Sequence, residues 1–157
     1  MRMITPNLWF PGNAEEAVNF YTSIFKDSKI GNISRHTKEA AAAAGMPEGS
    51  VLVIEFELNG QKFSAINGGP YFRFTEAVSF VINCETQQEV DEFWKKLSEG
   101  GEPGRCGWLK DKYGLSWQVV PTVLAKLMTS TEPGKTGRVM QALLKMNKLN
   151  IDALEEA

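Results

Sequence analysis

The side chains best suited to chemistry are few and scattered. His36 is the only histidine in the 157-residue chain. It stands near the start of an Ala-rich stretch and reads as a solvated loop residue rather than a ligand. Cys84 and Cys106 are the two cysteines. They do not form a C-x-x-C pair, and a nucleophilic thiol needs a base or cation beside it. Both read as reduced thiols, at least one of them buried. With one histidine, neither a Ser–His nor a Cys–His arrangement is available, and no two carboxylates are placed as an acid–base pair. Glu55 and Glu57 alternate along a strand-like run and share one face, as on a wet sheet surface. Lys110 and Asp111 precede Gly114 in a turn, where Asp111 is expected to accept backbone hydrogen bonds.

The elements that must position these groups follow a repeat. Ile4 to Phe10 alternates as a strand, and Pro11-Gly12 breaks it. Asn13 with Glu16 forms a capping-box-like helix start. Ala17, Phe20, Tyr21 and Ile24 then form one apolar face. The same pattern returns 73 residues later. Val78 to Asn83 reads as a strand, Thr86 and Glu89 as the box, and Val90, Phe93, Trp94 and Leu97 as the apolar face. Six matched positions at one offset define an internal repeat.

Each helix is followed by strand signals. The first has Lys29 to Thr37, Ser50 to Leu58 and Gln61 to Asn67, with Asn59-Gly60 as a two-residue hairpin turn. The second ends at Gly100-Gly101. Short strands are then expected around Gly104 to Gly107 and Trp108 to Lys110, and a last one from Leu115 to Val120. The fold class is therefore α+β, two tandem βαβββ modules in one domain. Module one spans about 1–70, module two about 76–121, and a helical extension 122–157. Two stretches lie outside the repeat. Lys38 to Gly49 reads as a short helix or a flap, since Ala-rich segments of this length are marginal helices alone. After Pro121, a short helix carries Val123, Leu124 and Leu127. A longer one starts at Glu132-Pro133 with Val139, Met140, Leu143 and Leu144 on its apolar side. Asp152 begins a final turn. These helices are expected to pack on the sheet or on a partner chain.

Composition bounds the function. Apolar residues make up 43% and charged residues 23%, with a net charge of -2. No block of Lys or Arg supplies the footprint of a nucleic-acid binder. No apolar run approaches the ~20 residues needed to span a bilayer. The N-terminus lacks a signal peptide's apolar region, so a cytoplasmic location is expected.

Two βαβββ modules resemble the vicinal oxygen chelate superfamily, which includes glyoxalase I, extradiol dioxygenases, and fosfomycin and bleomycin resistance proteins. The nearer resemblance is to its PhnB-like branch, labelled 3-demethylubiquinone-9 3-methyltransferase-like. Residues carrying it are Thr5 to Phe10, Gly12 to Ala17, Phe20-Tyr21, Asn67 to Pro70, Asn83 to Thr86, Cys106 to Gln118 and Arg138 to Met146. The resemblance implies a curled sheet forming an open cup. In relatives that cup holds a divalent metal on up to four His or Glu side chains, from the first and last strand of each module. It also implies a homodimer.

Carried onto this chain, those metal positions fall on Pro6 (or Asn7 with a one-residue slip), Ser64, Ser79 and Gln118. None is His, Glu, Asp or Cys, and an amide is a weak ligand for a transition metal. No metal and no cofactor are therefore expected. The cup would instead be lined by Asn7, Trp9, Ser64, Asn67, Ser79, Trp108 and Gln118, which suits a planar or amphipathic small molecule. Trp94 and Trp117 read as core, while Trp9 and Trp108 read equally as core or as ligand platforms. The methyltransferase label is discounted. A usual SAM-binding domain has a doubly wound parallel sheet with a Gly-rich loop opening a helix. Here Gly68-Gly69-Pro70 reads as a linking turn. The expected role is metal-free binding of a small molecule. The alternatives are an enzyme acting on a small oxygenated substrate and an assembly role for the C-terminal helices. Neither nucleic acid nor membrane is an expected partner.

Overall fold

The computed structural model describes residues 4–157. The chain forms two units, Met1–Arg73 and Phe74–Ala157. Each holds a four-stranded mixed sheet with one helix on its apolar face.

In the first unit, strand β1 (Asn7–Phe10) is followed by helix α1 (Ala14–Ile24), β2 (Lys29–Arg35), helix α2 (Lys38–Ala44), β3 (Val51–Leu58) and β4 (Gln61–Asn67). The strand order is β1-β4-β3-β2. β1 runs parallel to β4, and the remaining pairs are antiparallel. Alternation decides which side is buried. Phe10, Ile54, Phe56, Leu58, Phe63 and Ala65 are buried, as are Ala14, Ala17, Val18 and Tyr21 of α1. Phe20 and Ile24 are only half-buried. Phe56 and Phe63 face each other across β3 and β4 with ring centroids 5.3 Å apart, a cross-strand pair worth roughly 0.5–1.5 kcal/mol beyond burial. Asn59 and Gly60 both take positive φ, 47° and 74°, as the tight hairpin requires. The Ala-rich insertion resolves as helix α2, capped by the Thr37 side chain and ended by Gly45 at φ 65°.

The second unit repeats the plan with β5 (Ser79–Cys84), α3 (Gln87–Ser98), β6 (Glu102–Pro103), β7 (Trp108–Lys110) and β8 (Ser116–Pro121). Its order is β5-β8-β7-β6, with β5 parallel to β8. The strand expected at Gly104 to Gly107 falls instead at Glu102–Pro103. Residues 104–107 form a turn in which Cys106 and Gly107 both adopt positive φ, 56° and 84°. Trp94 is half-buried rather than core; Val90 and Leu97 carry the buried face of α3. Trp117 is buried.

The extension adds α4 (Val123–Met128), α5 (Lys135–Leu143) and α6 (Ile151–Glu155). Val139, Leu149 and Leu154 are fully buried in one cluster, against which Leu124, Leu127, Met128 and Leu143 pack. Met140 and Leu144, expected on the apolar side, are exposed. The extension grips its own unit. The Cys106 and Gly107 amides donate to Met146 O and Asn147 O, each at 2.8 Å. Arg105 Nη2 donates to Leu144 O at 2.9 Å, and the Gln87 side chain bonds Leu149 O and Ile151 N.

The two helix starts are held differently. Thr86 and Glu89 form a complete capping box on α3. Asn13 makes no side-chain cap on α1, and its Oδ1 is buried without a partner. The capping oxygen comes from β4 instead: Ala14 N donates to Asn67 Oδ1 at 2.9 Å. The expected local box at Asn13 is therefore replaced by a long-range cap.

Candidate functional site

The register of the first sheet lays its solvent-facing side chains in three rows. Lys29, Glu57 and Lys62 form the first. Glu55, Ser64 and Asn7 form the second. Ser34, Val53, Ile66 and Trp9 form the third. The face thus grades from charged, through neutral polar, to apolar and aromatic. A groove of about 470 Å³ runs over the first two rows, lined by Thr5, Lys29, Gly31, Glu55, Glu57, Lys62 and Ser64 among others.

Individual contacts fix these groups. Ser64 Oγ donates to Asn7 Oδ1 at 2.7 Å. It is Asn7, not Pro6, that faces Ser64. Lys29 Nζ lies 3.4 Å from Glu57 Oε2, and Asn32 Nδ2 donates to Glu55 Oε2 at 2.9 Å. Trp9 Nε1 donates to Gly69 O at 2.9 Å, and its indole meets the Phe72 ring edge-on at a centroid distance of 4.8 Å. A Cβ at Gly68 would sit 2.2 Å from the indole. The Gly68-Gly69 pair is therefore the seat of Trp9. Glycine is required there for close approach, as well as for the positive φ of 89° at Gly69.

Asn67 does not join this face. It pairs with Phe10 in the β1–β4 register, on the helix side, and is buried. Besides capping α1 it donates to Val51 O at 3.0 Å. His36, expected as a solvated loop residue, is also buried. Its Nε2 lies 3.1 Å from Asn67 O, an acceptor, so Nε2 carries the proton; Nδ1 is buried with no partner. The strand ending at Arg35 and the amide–carbonyl bonds with Ser50 and Gly49 draw the ring inward. His36 thus braces the Asn67 hub.

The second sheet presents the corresponding face. Gln118 Nε2 donates to Ser79 Oγ at 3.0 Å. Trp108 stands beside Gln118 in register and is half-buried. Lys110 and Ser79 both pair with Ser116, whose Oγ is buried without a partner. Lys110 is salt-bridged to Glu76 and Glu102. The Lys110 hydrogen bond holds the Glu76 carboxyl below its usual range, and Glu76 in turn raises the Lys110 ammonium. Asp111 is buried, with Oδ1 accepting from Tyr113 N and Leu115 N and Oδ2 from Trp117 Nε1. The turn-making role expected for it holds. Burial, then Glu89, pushes the Cys84 thiol up to about 12.

The matching end-of-strand bonds, Gly68 N to Phe10 O and Thr122 N to Cys84 O, align the first strands at an offset of 74 rather than the 73 of the helices. The link from strand to helix is one residue shorter in the second unit. Asn7 therefore corresponds to Val81, and Ser79 to Thr5. Sequence reasoning missed Thr5, Lys29 and Lys62 as groove residues. The hairpin alternation from Ser64 through Asn59-Gly60 could have found Lys62.

These donors do not suit the divalent metal that the sequence resemblance implies. The paired positions carry hydroxyls and amides that bond one another. Among the described residues, no group of three or more His, Cys, Asp or Glu side chains could hold a metal ion. Nor does any described helix have the length and hydropathy to cross a membrane.

Two open mixed sheets, each a βαβββ unit with a helix on one face, define an α+β protein built as a tandem repeat. The chain belongs to the 3-demethylubiquinone-9 3-methyltransferase family, whose profile matches residues 2–120. A solved relative is the PhnB protein from Bacillus cereus, which bears the same methyltransferase description. It is 41% identical over 77% of this chain and 100% of its own, with a TM-score of 0.67. A Pseudomonas aeruginosa protein shares the fold at 18% identity, covering 77% of this chain and 98% of its own, with a TM-score of 0.61. A glyoxylase/bleomycin resistance protein/dioxygenase domain from Frankia sp. matches at 14% identity over 77% of this chain and 91% of its own, with a TM-score of 0.47. No curated protein matches. The methyltransferase in the family's description is not reflected in this architecture: each sheet has one parallel pair, and Gly68-Gly69 is occupied by Trp9.

Proposed function

We propose that the protein binds a small amphipathic molecule, without a metal, on the solvent-facing side of the first sheet. The observation that carries this reading is the grading of that face from the Lys29–Glu57 row to the Trp9–Ile66–Val53 row. A ligand with a polar head and an apolar body would match both ends. Trp9 is anchored by Gly69 and Phe72, so it costs little further ordering on binding. The Ser64–Asn7 and Gln118–Ser79 bonds support the metal-free part of the reading, since they occupy the groups that a metal would need.

A thermal-shift screen with aromatic and aliphatic amphiphiles, run with and without EDTA, tests it. A ligand that prefers the folded state raises the melting temperature with concentration. We expect such a rise, unchanged by EDTA, and its loss in Trp9→Ala. Stabilisation that requires a divalent ion, or that survives Trp9→Ala in full, would contradict the reading.

A further inference from the structure

The groove's charges are not evenly balanced. Glu57 pairs with Lys29 and stands opposite Lys62 in register, so its carboxylate is bracketed by cations. Glu55 is different. It is exposed, it faces Ser64 across the sheet, and its bond from Asn32 is to a neutral amide. Among the described residues, no cation lies in salt-bridge contact with Glu55. Gly31 approaches it with backbone alone: a Cβ there would lie 3.3 Å from Glu55 O. The absence of a side chain at Gly31 keeps that flank of Glu55 open.

One step along the strands from Glu55 and Ser64, about 7 Å away, lie the half-buried Val53 and Ile66, with Trp9 beside Ile66. An ion-pair acceptor thus opens directly onto an apolar and aromatic surface. We propose that the ligand of this face is an amphipathic organic cation, an alkyl- or arylalkyl-ammonium. Its ammonium would bond Glu55 Oε1, and its body would lie along Val53, Ile66 and Trp9. This inference rests on the binding face proposed above and names the charge of the head group that it selects.

Three probes of one shape separate the possibilities: 4-phenylbutylamine, 4-phenylbutanol and 4-phenylbutyrate. Their affinities would be read by chemical-shift titration of the full-length protein, wild type and Glu55→Gln. Exposed ion pairs are individually weak, so the expected preference for the amine over the alcohol is roughly two- to fivefold at low salt, with the butyrate weakest. Glu55→Gln, on an exposed position, should keep the fold and reduce that preference to about one. Equal affinity for amine and alcohol, or a preference for butyrate, would overturn the cation and leave the binding face standing. A preference that survives Glu55→Gln would also overturn it. Failure of all three probes to bind would overturn the binding face itself, and the inference with it.

Discussion

The two sheets carry one design with opposite charge. In the first, the rung nearest the β3–β4 hairpin is Lys29 on the outer strand and Glu57 on the inner one. In the second, the corresponding rung is Glu102 outside and Lys110 inside. The innermost pairs diverge in place as well as in chemistry: Ser64 matches Gln118, but Ser64 bonds Asn7, directly opposite it, whereas Gln118 bonds Ser79, two residues before its own register partner Val81. A repeat therefore preserves register and burial, which the backbone enforces, and leaves exposed side chains free to diverge. The divergence gives the first sheet an aromatic end at Trp9, where the second has Asn83. That difference is why the first face is the better candidate for an amphipathic ligand.

The two units also differ in what stabilises them. The second unit relies on its extension, and the first has no counterpart. Leu149→Ala removes a fully buried side chain and should cost about 2–5 kcal/mol by chemical denaturation. A cost below about 1 kcal/mol would show that the extension is not part of the second unit's core.

The helix starts of the two units differ as well. Asn67→Ala removes the cap on Ala14 and the bond to Val51 O and should cost roughly 2 kcal/mol. Thr86→Ala, which breaks a local box, should cost about 1 kcal/mol. Asn13→Ala deletes an unpartnered buried oxygen and should stay within about 0.5 kcal/mol of wild type. Equal effects at Asn13 and Thr86 would restore the symmetry that the sequence suggests.

Phe10 and Cys84 end the first strands of the two units, and both are buried. The Cys84 thiol, raised from 9.0 to about 12, should resist iodoacetamide in the native protein at pH 9 and react on unfolding. Because the folded value is the higher one, its contribution to stability is intact below pH 9 and declines as the pH rises from 9 toward 12. Rapid native labelling of Cys84 at pH 8 would contradict the burial. The smallest effect is expected at the first sheet's charged rung. Lys29→Glu combined with Glu57→Lys converts it to the polarity of the second. Exposed pairs contribute little, but the exchange sets a lysine opposite Lys62 in register, so the unfolding midpoint should fall only slightly.

Much of this architecture was legible in the sequence. The repeat at Asn13/Thr86 and Phe20/Phe93 located both modules, and Asn59-Gly60 located the hairpin. Gly114 and Asp111 located the last turn. What was not legible depended on contacts distant in sequence. Asn67 looks like a loop-end ligand until parallel pairing with β1 turns it toward Ala14. His36 looks solvated until Ser50 and Asn67 enclose it. The groove's Lys29, Glu55 and Ser64 come from three strands whose order no periodicity reveals. The repeat even misled by one residue, because the shorter strand–helix link shifts the first strands to an offset of 74.

The most direct test of a metal-free binding face on the first sheet is a chemical-shift map. Backbone and indole resonances of isotope-labelled protein would be followed during titration with 4-phenylbutylamine in the presence of EDTA. Saturable shifts are expected at Glu55, Ser64, Ile66 and Trp9 Nε1, with Ser79 and Gln118 still. Shifts centred on Ser79, Trp108 and Gln118, or none until a divalent metal replaces the chelator, would contradict it.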